Sequence, residues 1–169
     1  MSASPPDAAE LEPGTLPLPA LRALRGELQH QDDAVSYVRR LTQARLDLVR
    51  AELQHRAVGD QKNITAELPA ILGTHLTGGP PRPPRPADDF SDHPLALELE
   101  ELCNEAGSTD LPSMSIAELG AYITRLHDFE QLRSHERKQL FVRIDALSAE
   151  LVCRYRDGEA DVDGLLAQD

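Results

Sequence analysis

Residues 32–53 read DDAVSYVRRLTQARLDLVRAEL. The stretch has no Gly or Pro, and its leucines and valines recur at helical spacing, so it predicts one uninterrupted helix. A helix turns about 100° per residue. Asp32, Ser36, Arg39, Gln43 and Asp47 follow one another at steps of four, three, four and four. They therefore share one arc of roughly 80°. Beside that arc runs an apolar seam of Leu28, Val35, Leu46, Val49 and Leu53, and on the far side lie Tyr37, Leu41 and Leu48. A surface helix needs only one apolar stripe. Two strips predict two packing surfaces, one for a partner helix within the chain and one for a second occupant.

Almost a hundred residues later the chain repeats the pattern as EQLRSHERKQLFVRIDALSAEL, residues 130–151. Glu130, Ser134, Arg137, Phe141 and Asp145 keep the same steps, and Leu140, Ile144, Leu147 and Leu151 form the seam. Aligned without gaps, the stretches share Ser36/Ser134, Arg39/Arg137, Arg45/Arg143, Asp47/Asp145 and a closing Ala-Glu-Leu. The fold class that follows is all-α: two long helices in a helical hairpin or coiled coil, with short accessory helices and a disordered Pro-rich linker. Antiparallel pairing is the commoner arrangement for two helices of one chain.

The boundaries come from breakers and caps. Residues 1–16, with their prolines and acids, predict a disordered tail. A long helix over 17–58 has Pro19 in its first turn, Arg56 in its last, and Gly59 as its stop. Residues 59–93 hold a short helical turn and then GTHLTGGPPRPPRPADDFSDHP, whose prolines and glycines suit a flexible or polyproline-like linker. A short amphipathic helix spans 94–107. The second long helix covers 115–157 behind a capping box of Ser115 and Glu118. Residues 158–169 form a tail or a short last helix.

Composition narrows the function. The 169 residues include no Trp, three Phe and three Tyr, too few aromatics for a dense core. The formal charge of −12 opposes direct nucleic-acid and anionic-membrane binding and suits a basic protein partner. No apolar run is long enough to span a membrane, and the N-terminus has no signal-peptide pattern, which predicts a cytoplasmic protein. Cys103 and Cys153 lie on helical segments and read as small reduced core residues. The six histidines are scattered, and the chain has no phosphate loop or nucleophile elbow. No enzyme, cofactor or metal site is expected.

The row itself has a chemical reading. A carboxylate accepts from guanine N1–H and N2–H2, whereas an arginine fork donates to guanine O6 and N7 or to phosphate. Ser and Gln supply neutral hydrogen-bonding groups. The same residues at three- and four-residue spacing also make the intrahelical ion pairs of a solvated coiled-coil flank. Residue by residue, both readings stand.

The pattern Glu-x3-Ser-x2-Arg-x3-Gln-x3-Asp on two coiled-coil helices resembles the cyclic-di-GMP-binding anti-sigma factors of sporulating actinobacteria. The flanks DDAVSYVRRLTQARLDLVRAEL and LVCRYRDGEADVDGLL look like that family as well. The resemblance implies an anti-sigma factor that sequesters a flagellar- or sporulation-type sigma factor while two intercalated cyclic di-GMP molecules sit at the interface. It implies ligand contacts at Asp32, Ser36, Arg39, Gln43, Asp47, Glu130, Ser134, Arg137 and Asp145. Asp32 is one methylene shorter than the Glu of the pattern. Phe141 stands where the pattern has Gln, so it either stacks on a base or belongs to the core. Arg40 and Arg133 are secondary candidates. The alternative is a coiled-coil adaptor that meets another protein without any nucleotide.

Overall fold

The structure is a computed structural model that describes residues 12–58 and 88–158. Helix α1 spans Leu18–Val58, α2 spans Pro94–Glu105 and α3 spans Ile116–Arg156. Two 3-10 turns, Pro13–Thr15 and Ser108–Ser113, precede α1 and α3. The described residues contain no strand, and the two long helices pack together as an all-α hairpin. The expected turn after Gly59, the Pro-rich linker up to residue 87 and the last short helix lie outside the described residues.

The chain divides into two compact units, Met1–Asp33 with Arg137–Asp169, and Ala34–Glu136. In the first, α1 buries Leu21 and Leu28 while α3 buries Leu140, Ile144, Leu147 and Leu151. Arg22 donates from Nε to the Tyr155 hydroxyl at 3.0 Å, and Asp32 pairs with Arg137. Numbers rise along one helix as they fall along the other, so the helices run antiparallel here. The tail expected over residues 1–16 is ordered at its end. Arg154 donates to the carbonyls of Leu16 (2.6 Å), Gly14 (3.0 Å) and Pro13 (3.3 Å), which fixes the first 3-10 turn.

The second unit holds the larger core. Val38, Leu46 and Val49 of α1, Ala96, Leu99 and Cys103 of α2, and Leu119, Tyr122, Leu126 and Phe129 of α3 form one buried cluster. Arg39 meets Glu130, and Arg56 reaches Met114, so α1 and α3 are antiparallel in this unit too. The second apolar strip of α1 finds its occupant in α2 and the residues leading into it. The Tyr37 ring lies 6.0 Å from that of Phe90, and Leu41 packs on the shared cluster. The buried Thr42 hydroxyl donates to the Val38 carbonyl at 2.8 Å, which satisfies the one polar group placed inside this seam.

Helix ends follow local chemistry. The Ser115 amide donates to Glu118 Oε2 at 2.6 Å, and the Glu118 amide donates to Ser115 Oγ at 3.2 Å, a complete capping box. The short helix stops at Glu105 rather than 107. Gly107, at φ 73°, turns the chain in the left-handed region that glycine enters freely and begins the 3-10 segment. The two cysteines differ from expectation. Cys103 is buried, but Cys153 is exposed, because it lies off the seam of α3. The Asp157 carboxylate beside it pushes the Cys153 thiol up from its ordinary value.

Candidate functional site

The duplication reaches well past the two rows. Corresponding positions are 98 residues apart, as Asp32 and Glu130 are. Both long helices contain 41 residues, and the same offset carries Leu18 to Ile116 and Val58 to Arg156. Contacts obey the offset as well. In one unit Arg154 is held by Glu150 at 2.7 Å and grips the carbonyls of Pro13, Gly14 and Leu16. In the other, Arg56 is held by Glu52 at 2.6 Å and grips those of Leu111, Pro112 and Met114. Every partner in one set is the mate of a partner in the other. The sequence carried this signal: extending the gapless alignment outward pairs Arg56 with Arg154.

The rows meet by the same rule. Within its unit, Arg137 Nε lies 3.4 Å from Asp32 Oδ1, a first-slot carboxylate against the third-slot arginine of the other copy. Within the other unit, Arg39 Nη1 lies 3.2 Å from Glu130 Oε1, again first slot against third. Two like helices packed antiparallel produce this reciprocity, because any contact between slots recurs with the copies exchanged.

Glu130 is the hub of its set. Its Oε1 accepts from Arg39 Nη1 at 3.2 Å, Gln43 Nε2 at 3.2 Å and Ser134 Oγ at 2.8 Å, while Oε2 accepts from Gln131 Nε2 at 3.3 Å. The residue is 8% exposed. A carboxylate so buried needs these donors, because an unpaired one would keep its desolvation cost. Arg39 is held from one side only, since its buried Nε has no hydrogen-bond partner. Asp47 lies 3.9 Å from Arg50 and shares with Gln43 and Glu130 a depression of about 150 Å³, whose remaining lining is Leu46, Arg50 and His127.

The other expected residues fall at varied positions. The Arg137 guanidinium lies over the Phe141 ring, 4.5 Å from its centroid, so Phe141 is a half-exposed platform for the arginine rather than a core residue. Asp145 is exposed. Ser36 is half-buried, and its carbonyl accepts from Arg40 Nε at 3.1 Å. Arg133 serves the scaffold: it is 7% exposed, lies over Phe129 and pairs with Glu136 at 3.1 Å. Arg50 and His127 were not among the expected residues, because neither belongs to the five-slot pattern. Among the described residues, no His, Cys, Asp and Glu group suits a metal ion, and no helix is long and apolar enough to cross a membrane.

Fold and rows together define a duplicated helical-hairpin protein with carboxylate–arginine pairs linking its two copies. Residues 7–72 match the family model described as RsiG-like. The matched stretch covers less than half of the 169-residue chain. It takes in the first row, Asp32 to Asp47, and ends before the second. No curated protein matches the chain.

Proposed function

We propose that this protein is an anti-sigma factor that captures a flagellar- or sporulation-type sigma factor when cyclic di-GMP lies along its two rows. The observation that carries the reading is the reciprocal pairing of Asp32 with Arg137 and of Arg39 with Glu130. Each pair sets a guanine-edge acceptor beside a guanine or phosphate donor. In the free chain these groups pair with one another. An arriving guanine replaces the arginine as donor to the carboxylate through N1–H and N2–H2, and the released fork turns to O6, N7 or a phosphate oxygen. The exchange leaves neither buried charge unpaired, so ligand entry avoids most of the cost of breaking a buried ion pair.

Charge explains the need for a partner. The chain carries −12 and the ligand is a dianion. Arg39, Arg40, Arg137 and Lys138 offset the field locally, and a basic sigma surface closing over the rows supplies further counter-charge. Ligand and sigma factor then each raise the other's affinity. The test is capture of flagellar- and sporulation-type sigma factors on the immobilised full-length chain, with and without cyclic di-GMP. Ligand-dependent capture is expected, and Arg39→Ala combined with Arg137→Ala should abolish it. Capture that ignores both ligand and substitutions would instead establish the coiled-coil adaptor.

A further inference from the structure

The duplication makes the two copies comparable slot by slot, and they differ where a base would seat. The depression in the Ala34–Glu136 unit is lined by Gln43, Leu46, Asp47, Arg50, His127 and Glu130. The positions 98 residues away carry Phe141, Ile144, Asp145, Ser148, Gln29 and Asp32. Apolar floor and carboxylates are kept in both. The first set alone adds a guanidinium and an imidazole.

We propose that Arg50 and His127 are guanine-selecting contacts, which makes this depression the tighter of the two ligand seats. The proposal rests on the nucleotide reading above. Asp47 and Glu130 offer acceptors that match N1–H and N2–H2 of guanine. Arg50, 3.9 Å from Asp47, brings a donor fork next to those acceptors, where O6 and N7 of the same base lie. Adenine presents its exocyclic amine in place of O6, so the fork meets a donor and repels it. His127 gives the rim a flat ring for stacking. In the other copy the ring is Phe141, and its guanidinium neighbour, Arg137, is already stacked on it and paired with Asp32. No second cation is present at the Ser148 position.

Arg50 and His127 are both about half exposed, at 52% and 51% of the side chain. Their replacement therefore spares the core, and helicity and melting temperature serve as controls. Equilibrium dialysis of the full-length chain against labelled cyclic di-GMP and cyclic di-AMP reads the prediction. Arg50→Ala should weaken cyclic di-GMP binding about tenfold, the size expected when a bidentate base contact is lost. His127→Ala should weaken it by at least about threefold through loss of stacking. Ser148→Ala and Gln29→Ala should stay within about twofold of wild type, and cyclic di-AMP should bind at least about tenfold more weakly than cyclic di-GMP. If Arg50→Ala and His127→Ala bind like wild type while Arg39→Ala does not, this assignment is wrong and the anti-sigma reading survives. Equal binding of both dinucleotides overturns guanine selection. A wild-type chain that binds neither at millimolar concentration, with or without the sigma factor present, overturns this proposal and the nucleotide part of the function together.

Discussion

Glu130 shows how much one side chain can hold. Three donors converge on its Oε1, from Arg39 and Gln43 of one helix and Ser134 of its own. The pattern in the sequence marked Glu130 as a ligand contact, but its hub role depends on which residues face it across the hairpin. Glu130→Gln keeps the shape and removes the charge, and it turns an amide N–H2 toward donors. The expected loss is about 1–3 kcal/mol, seen as a lower urea midpoint at unchanged slope. A midpoint equal to wild type would mean that the three contacts exert no net hold. Phe141 shows the opposite case. Its place in the row was legible, whereas its stacking under Arg137 became visible only in the fold.

Among the elements, α3 owes its start to chemistry readable within four residues. The Ser115 hydroxyl and the Ser115 backbone amide hold the Glu118 carboxyl below its ordinary value of 4.5. A carboxyl lowered in the folded state adds stability above its unfolded value, and that stability is lost as pH falls through the lowered one. Ser115→Ala should therefore cost about 1 kcal/mol at pH 7, the usual worth of a cap. Thermal melts of wild type and variant should converge partly as pH falls from 4.5 through the lowered value, where Glu118 takes up its proton. A gap that stays constant over that range would show that Glu118 contributes nothing through its charge. The α2 helix teaches a different lesson. Its amphipathic pattern was plain, but its seat on Tyr37, Leu41 and the core of α1 was not, because apolar periodicity says that a face is buried and not what buries it.

For the molecule as a whole, duplication is the governing fact. The same 98-residue offset relates the 3-10 turns, both long helices, the Arg56 and Arg154 latches and the carboxylate–arginine rows. One asymmetry stands out: α2 covers the second strip of α1, and the positions on α3 that match Tyr37, Leu41 and Leu48 are His135, Gln139 and Ala146, with Val142 of the same face exposed. Linkage gives the prediction at this scale. If ligand raises affinity for the sigma factor by some factor, the sigma factor must raise affinity for ligand by the same factor. Calorimetric titrations around the four-step cycle should return equal coupling within error. Ligand affinity unchanged by a bound sigma factor would refute the shared interface.

Sequence alone determined what is local. Helical periodicity, the Ser115 cap, the glycine turns and the twofold writing of the row depend on neighbours within a few positions, and a single chain displays them all. Tertiary structure decided what depends on encounters between distant segments: the antiparallel direction within each unit, the closing of Glu130 and Asp32 onto arginines of the opposite copy, and the gathering of Arg50 and His127 beside Asp47. The physical reason is that a helical pattern fixes which face is polar or apolar but leaves the choice of partner to packing. Side chains almost a hundred residues apart acquire a common chemistry only when packing brings them within hydrogen-bonding reach.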